Sequence, residues 1–196
     1  MTRFGKWDEI LAETAPAKDL QYTNGVWHYA RGTAFTAKGQ FQEATQELEQ
    51  LKAIATDPAL TKVTIWDINT TADLLKIAVE VLTGKLAAKQ GDYNQAIAHL
   101  KTAVNLEDKL NYDEPPPWHY PVRQSLGAVL LQANKPAEAE IVYQQDLQHF
   151  PENGWSLAGL AQSLEAQGKT EAAQAVQKCF QAAWKNADLS MTLAQL

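Results

Sequence analysis

The chain has 196 residues, of which 45% are apolar, and its formal charge is −6. This apolar content is enough to bury a core and differs from that of a disordered chain. The acidic balance and the lack of a lysine- or arginine-rich run argue against a nucleic-acid-binding protein. No apolar run reaches the ~18 residues of a membrane-spanning helix, and residues 1–10 lack the apolar segment of a signal peptide. We therefore expect a soluble, cytoplasmic protein that binds neither nucleic acid nor membrane.

The residue types that carry enzymatic or metal chemistry do not occur in the spacings that such sites need. The single cysteine, Cys179, excludes an intramolecular disulfide and a cysteine-rich zinc site. His28 and His119 fall at equivalent ends of two predicted helices, but a metal site needs three or four ligands. Ser125 and Ser156 lie in helical patterns, not in the strand–turn–helix elbow of a hydrolase, and no glycine-rich phosphate loop occurs. The sequence predicts no enzyme activity, no catalytic residue, no cofactor and no metal.

A period of 34 residues organises the chain. The pattern Arg-x-x-Leu-Gly-x-x-Leu that begins at Arg123 recurs as Leu-x-x-Leu-Ala-x-x-Leu from Leu157, and Asn134 and Gly168 occupy the same turn position. This period, with small residues at fixed offsets, resembles that of tetratricopeptide repeats, in which each unit is a pair of antiparallel helices. We predict an all-α fold, a right-handed α-α superhelix of tetratricopeptide-type helical hairpins.

Composition and spacing divide this single solenoid into segments. The predicted segments are an unpaired second helix at 5–20, a repeat at 22–56, an insertion at 57–70, a repeat at 71–108, a proline loop at 109–119, repeats at 120–152 and 153–185, and a C-terminal tail at 186–196. The unpaired helix is predicted because Gly-Lys-Trp from Gly5 and Gly-Gln-Phe from Gly39 open second helices one period apart. We expect the chain to begin inside a repeat of a longer protein. Met191, Leu193 and Leu196 are expected to cover the end of the stack.

Local signals predict how several elements begin and end. Pro58 opens a short helix that leads into an irregular link, and Thr70 or Thr71 caps a long helix to about Gln90. The prolines at 115–117 predict a polyproline-like loop. Asn153 caps the next-to-last helix. Glycines inside predicted helices, at Gly32, Gly84 and Gly127, indicate a shared need for close packing, since glycine costs about 1 kcal/mol there relative to alanine.

Several stretches resemble the C-terminal part of a group of longer bacterial tetratricopeptide proteins. These are Tyr-Asp-Glu-Pro-Pro-Pro-Trp at 112–118, Pro-Val-Arg-Gln-Ser-Leu-Gly at 121–127 and Pro-Glu-Asn-Gly-Trp-Ser-Leu at 151–157, with residues 25–32 similar further upstream. The resemblance implies a helical scaffold that binds peptides or proteins. The usual first-helix tryptophan is replaced by His28, Glu80, Arg123 and Leu157. The lysines and asparagines that clamp a carboxylate in chaperone-binding members are not arranged in that pattern, so the resemblance does not imply binding of a chaperone C-terminus.

We expect the first helix of each repeat to line an inner face that suits an extended peptide or a partner helix. The residues expected on that face are Tyr29, Thr33, Thr36, Val81, Lys85, Lys89, Gln124, Ala128, Gln132, Trp155, Gln162 and Glu165. The candidate partner-binding residues are Tyr29, Thr33, Lys85, Lys89, Trp118, His119, Arg123, Gln124, Trp155 and Gln162. The alternative is a plain solvated face from which some of these side chains turn away.

The densest chemical cluster is Trp118-His119-Tyr120 with Arg123. Aromatic and arginine side chains are favoured as binding anchors, and the preceding proline loop lowers the ordering cost of a contact. The alternative is that Trp118 and Tyr120 fill the gap made by the insertion, with Arg123 paired to Asp113 or Glu114.

Three functional hypotheses follow. The first is a scaffold that binds a protein or peptide. The second is an assembly module in which the incomplete first repeat exposes Phe4, Trp7 and Ile10 for packing on a second copy or on the rest of a longer chain. The third, and most remote, is a small-ligand or metal site at Trp118, His119 and Arg123.

Overall fold

The computed structural model describes residues 1–187, most of which are helical. The helices are α1 (Trp7–Ala12), α2 (Gln21–Ala37), α3 (Phe41–Ala55), α4 (Thr71–Lys89), α5 (Tyr93–Glu107), α6 (Val122–Gln132), α7 (Pro136–His149), α8 (Gly154–Glu165) and α9 (Thr170–Trp184), with 3-10 helices at Thr2–Phe4 and Pro58–Lys62. The chain divides after Tyr120 into two compact units. Met191, Leu193 and Leu196, which the sequence assigns to a cover for the stack, lie outside the described residues.

In the first unit α2 pairs with α3, and α4 pairs with α5, each as an antiparallel hairpin. Helix α4 also packs on α2 and α3, so it is covered on most sides. Its Leu74, Leu75, Ile77, Val81 and Leu82 are all at most 1% exposed. A helix that is apolar nearly all round is a buried helix. Helix α4 is therefore the centre of this unit.

A left-handed residue follows the first helix of every hairpin. Gly39, Gly91, Asn134 and Gly168 have φ values of 74°, 87°, 57° and 72°. Glycine and asparagine adopt this conformation at the lowest cost, and it turns the chain back after a helix. The predicted equivalence of Asn134 and Gly168 is confirmed.

The segment between α3 and α4 matches its prediction in part. Pro58–Lys62 forms the short helix, and the Thr70 hydroxyl accepts a hydrogen bond from the Asp73 amide at 3.1 Å, which caps α4. The link is not irregular, because β1 (Thr64–Ile65) and β2 (Asn69–Thr70) pair antiparallel. The turn between them holds Trp66 and Asp67 at φ values of 50° and 61°. Bulky residues rarely adopt this conformation, so the sequence carried no signal for the ladder.

An acid–imidazole pair joins the two helices of each hairpin in the first unit. His28 Nδ1 of α2 lies 2.6 Å from Glu47 Oε2 of α3, and His99 Nδ1 of α5 lies 2.7 Å from Glu80 Oε2 of α4. The partners are separated by 19 residues in both hairpins, but their order is exchanged. Arg31 adds a second bond to Glu47 at 2.7 Å. His28 and Glu80 each lie 11 residues before the left-handed glycine that follows their helix, so the same position forms a polar interhelical contact in both hairpins.

In the second unit, α7 packs on α6 and on α8, and α9 packs on α8. The Tyr143 ring of α7 is fully buried and lies against two glycines of the neighbouring helices. A β-carbon added at Gly127 of α6 would lie 2.4 Å from this ring, and one at Gly159 of α8 would lie 2.2 Å from it. The close packing expected at Gly127 is confirmed, and its cause is Tyr143.

A buried polar network also joins these helices. Ser156 donates a hydrogen bond to Asp146, which is 1% exposed, and the Gln124 amide lies 3.4 Å from Asp146 Oδ2 and 3.2 Å from Ser156 Oγ. Burial raises the pKa of Asp146, while these donors and the charge of Arg123 oppose the rise. A carboxyl whose pKa is raised by folding contributes stability that is present at low pH and is lost as the pH rises through that pKa.

We predict that Gly127→Ala lowers the free energy of unfolding by about 1–3 kcal/mol, although alanine favours a helix by about 1 kcal/mol. The added methyl group would overlap the Tyr143 ring, which Gly159 prevents from retreating. Urea denaturation measures the change. Gly25→Ala is the comparison variant and should cost less, because its nearest atoms are the terminal methyl groups of the buried Leu75 and not a rigid ring. Equal stability of Gly127→Ala and the unaltered protein would contradict this packing.

We also predict that the acid–imidazole contact tolerates exchange of its partners. Glu80→Ala and His99→Ala should each lower the free energy of unfolding by about 0.5–1 kcal/mol, since the pair is partly exposed. The double exchange Glu80→His with His99→Glu should retain most of that stability, as the first hairpin already uses the opposite order. A double-mutant cycle gives the coupling. A double exchange as unstable as both alanine changes together would refute the interpretation.

Candidate functional site: an aromatic–cationic cluster in the first unit

The richest chemistry of the first unit lies where the loop after α5 meets α2. The aromatic–cationic cluster comprises Arg3, Tyr29, Lys85, Trp118, His119 and Tyr120. The Tyr29 ring centroid lies 5.4 Å from that of Trp118 and 5.9 Å from that of His119. His119 lies 4.7 Å from Trp118 and 4.6 Å from Tyr120. Three of these four contacts are edge-to-face and the fourth is tilted, at separations that aromatic rings prefer.

Two cations face one ring of the cluster. The guanidinium carbon of Arg3 lies 5.3 Å from the Tyr120 centroid, and the Lys85 ammonium lies 5.2 Å from it. Both are within the ~6 Å range of a cation–π contact. Lys85 has no carboxylate partner among residues 1–187. The cluster is therefore locally positive in a chain whose formal charge is −6.

The positive charge of the cluster affects His119, whose ring has an exposed edge. Burial by the neighbouring rings is the main cause that lowers the pKa of His119 to about 4, and the positive charges of Lys85 and Arg3 come next. The imidazole is therefore neutral at pH 7. Because this value lies below the ordinary 6.5, the contribution of His119 to stability is complete above pH 6.5 and is lost as the pH falls toward 4.

Below this exposed ring lies a donor without an acceptor. Trp118 is 7% exposed, and its indole Nε1 has no hydrogen-bond partner in the described part of the chain. Leaving such a donor buried costs about 1–3 kcal/mol. By contrast, the Tyr29 and Tyr120 hydroxyl groups lie 3.3 Å apart, and burial raises the pKa of Tyr29.

The loop that carries these rings is fixed by a contact between the two interruptions of the repeat period. The Asn69 side chain accepts a hydrogen bond from the Asn111 amide at 2.8 Å and donates one to the Asn111 carbonyl at 2.9 Å. The Asn111 side chain donates to the Ile68 carbonyl at 3.0 Å. We call these three bonds the insertion clasp. Asn69 is 3% exposed, so the clasp is a buried attachment of the loop.

The structure brings together only some of the candidate residues in the first unit. Tyr29 and Thr33 are buried, at 3% and 4% exposure, and the Thr33 hydroxyl donates to the Tyr29 carbonyl. Lys85 is half-buried and Lys89 is exposed on the same helix. The buried Trp118 and Tyr120 fit the gap-filling alternative, whereas the His119 edge remains reachable.

The remaining candidates lie in the second unit. Gln124 is 2% exposed and belongs to the Asp146 network. Trp155 is 9% exposed, and its ring lies edge-to-face with that of Trp184 at 5.7 Å. Arg123 and Gln162 are half-buried.

The apolar patch expected at the incomplete first repeat is present in altered form. Phe4 is 53% exposed and Trp7 is half-buried, but Ile10 is 3% exposed. The expectation for Ile10 is wrong because α1 packs on α2, which covers that side chain. Leu20 and Val26, at 50% and 40%, are exposed instead.

A separate cavity of about 490 Å³ lies between the end of α3 and the first half of α4. Ala55, Pro58 and Ala72 are among its lining residues. The charges at its rim are already paired with neighbours, for example Lys52 with Glu49 and Lys76 with Asp73. The cluster, with its unmatched cation and donor, is therefore the stronger candidate.

The described residues also bear on two other classes of site. Between residues 1 and 187, no set of three or more His, Cys, Asp or Glu side chains converges as metal ligands would. None of the helices in that range has both the length and the hydrophobicity needed to cross a bilayer.

Arg3 and the insertion clasp carry no signal in the sequence that could have identified them. Arg3 lies in a short 3-10 helix for which the repeat pattern gives no position. Asn69 and Asn111 lie 42 residues apart in two segments that break the period, so no periodic signal could pair them.

Comparison with known proteins agrees with the hairpin architecture. Residues 82–109, from the second half of α4 through α5, match a family model described as a tetratricopeptide repeat. No curated protein matches the chain. Among solved structures, one similar protein is assigned as a kinesin light chain of Podosopora anserina with nearly identical TPR-like repeats. It shares 18% identity over 96% of this chain and 92% of that chain, with a TM-score of 0.62.

A second form of that protein has 16% identity, the same coverage and a TM-score of 0.59. MamA from AMB-1 has 19% identity over 93% of this chain and 98% of that chain, with a TM-score of 0.52. The predicted fold class of tetratricopeptide-type hairpins is confirmed. Such folds are repeat scaffolds whose general use is protein interaction. Residues 82–109 are thus similar to a tetratricopeptide repeat, and the fold of the chain is that of tetratricopeptide-type helical hairpins.

Proposed function

We propose that this protein is a non-enzymatic scaffold that binds a protein or peptide partner, and that the aromatic–cationic cluster is its contact site in the first unit. The observation that carries the proposal is the exposed edge of His119 beside the unmatched charge of Lys85, on a base of buried rings. Aromatic and cationic side chains in such a setting are favoured as binding anchors.

The site is held in place before any partner arrives. The insertion clasp attaches the loop, and the Tyr29 ring supports it from α2. A preformed contact surface reduces the ordering cost that binding otherwise carries. Buried Tyr29 and Thr33 act as support in this proposal, whereas Lys85, Lys89 and His119 make the contacts. In the second unit, the half-buried Arg123 and Gln162 remain candidates on the first helices α6 and α8.

A cytoplasmic location is part of the proposal. Cys179 is exposed and unpaired, a state that a reducing compartment preserves.

Self-association is a second candidate function, favoured by one observation. Phe4, Leu20 and Val26 are apolar and 40–53% exposed at the N-terminal end of the first unit. Apolar side chains exposed together usually mark an interface. In this form of the proposal, the partner is a second copy of the chain.

Site-specific photocrosslinking in source cells tests both candidates. A benzoylphenylalanine probe replaces His119, Lys89 or Phe4 in turn, and Thr102, which is exposed on α5, is the control position. We expect probes at His119 and Lys89 to capture the same discrete protein, identified by mass spectrometry, and the Thr102 probe to capture none. A product of twice the chain mass from the Phe4 probe would support self-association. If all four positions give the same diffuse pattern, the proposed site is wrong.

A further inference from the structure

We propose that the aromatic–cationic cluster selects an acidic partner segment, one that carries more than one aspartate or glutamate side chain. This inference rests on the proposed function and specifies the chemistry of the partner. Two independent observations point to it, namely an unmatched cation at the surface and an unsatisfied donor below it.

The surface observation is the position of Lys85. Its ammonium group contacts the Tyr120 ring and has no carboxylate partner in the part of the chain that the structure describes. Some lysines of the first unit are paired with carboxylates, for example Lys38 with Asp8 and Lys76 with Asp73, whereas Lys85 lies against an aromatic ring. A cation held on a ring without a counter-ion can accept a carboxylate from a partner and keep its ring contact.

The second observation is the Trp118 indole. Its Nε1–H is a donor only, it is buried, and no described residue accepts from it. Buried donors are nearly always satisfied in folded proteins, so an exception needs a cause, such as an acceptor that the isolated chain lacks. A carboxylate oxygen is the strongest such acceptor that a peptide offers.

His119 is a neighbour of this donor at the surface. Its ring centroid lies 4.7 Å from that of Trp118, it is exposed, and no described residue makes a hydrogen bond with it. A partner that displaces the His119 ring would therefore break no hydrogen bond. Lys85 from α4, Arg3 from the first 3-10 helix, and the rings of Tyr29 and Tyr120 face His119, and the side-chain charges that act on its imidazole are cationic.

The composition of the chain supports selectivity. The formal charge of −6 repels acidic molecules from most of the surface, whereas Arg3 and Lys85 attract them at the cluster. Such local complementarity sets which partner binds more than it adds affinity.

Calorimetry with defined peptides tests the inference on the full chain. The first probe is a short end-blocked peptide of alternating glutamate and leucine, and the second is the same peptide with glutamine in place of glutamate. The third is the glutamine–leucine peptide with a free C-terminus as its only carboxylate, and the fourth is acetate. We expect the glutamate peptide to bind at least tenfold more tightly than the other three, because a charge-assisted bond to each of two sites contributes about that factor or more.

Matched variants locate the effect. Lys85→Gln should weaken binding of the glutamate peptide about tenfold, and Trp118→Phe should weaken it severalfold while it keeps the apolar ring. Lys76→Gln is the control, since it makes the same change on the same helix, α4. Lys76 lies nine residues from Lys85, which is two and a half helical turns, so the two side chains are on opposite faces of α4. Circular dichroism confirms that each variant is folded.

Each outcome has one meaning. Equal affinity for the glutamate and glutamine peptides would overturn the acidic selectivity and leave the scaffold proposal in place. If the peptide with a free C-terminus or acetate binds more tightly than the glutamate peptide, the site recognises a single carboxylate. This result would overturn the inference that the partner segment carries several acidic side chains. If Lys76→Gln weakens binding as much as Lys85→Gln, the cluster is not the site. Absence of binding by all four probes also overturns the inference, whereas the crosslinking result decides the scaffold proposal by itself.

Discussion

The burial of α4 is the constraint on which the first unit depends. Helices α2, α3 and α5 cover it, and its largest apolar side chains have almost no contact with solvent. At about 25 cal/mol for each Å² of apolar surface removed from water, burial of one such helix is a dominant favourable contribution to folding. Lys85 belongs to this helix, so its position is set by the core itself. The cation of the candidate site is thus part of a rigid element.

The site arises where the repeat pattern is interrupted. A regular array of hairpins offers short turns, whereas this chain inserts residues before α4 and after α5. These two insertions join through Asn69 and Asn111, and the loop then places its rings on α2. Loops that are held by a rigid scaffold are where binding residues concentrate. The two insertions that interrupt the repeat period therefore form the most chemically distinctive surface of the first unit.

Periodic features of the chain could be predicted from the sequence, and non-periodic ones could not. The hairpins, the left-handed turn at Asn134 and the cap at Thr70 follow from local rules of helix packing and termination. The same local rules predict the first and last residues of α4 to within one residue of those observed. By contrast, the ladder at Trp66 needs a backbone conformation that its residues disfavour.

Side-chain direction was the weaker part of the sequence-based prediction. Tyr29 and Thr33 lie on a first helix as expected, but both are buried, and rings of the docked loop contact Tyr29. Ile10 is covered for a similar reason, since α1 packs on α2 although it has no partner helix of its own. Arg3 joins the cluster from a segment without a repeat position. Each of these outcomes depends on long-range packing, which spacing along the chain does not encode.

The central claim is that an acidic partner segment satisfies the buried Trp118 donor. Its most direct measurement is the ¹H–¹⁵N spectrum of the tryptophan indole groups during titration with the alternating glutamate–leucine peptide. Trp118→Phe assigns the signal, and Trp66, which is 67% exposed in the turn between β1 and β2, serves as the internal reference. The account predicts that the Trp118 indole proton moves downfield, as a newly hydrogen-bonded proton does, while the Trp66 signal stays in place. A Trp118 signal that does not move when the peptide saturates the protein would contradict the account.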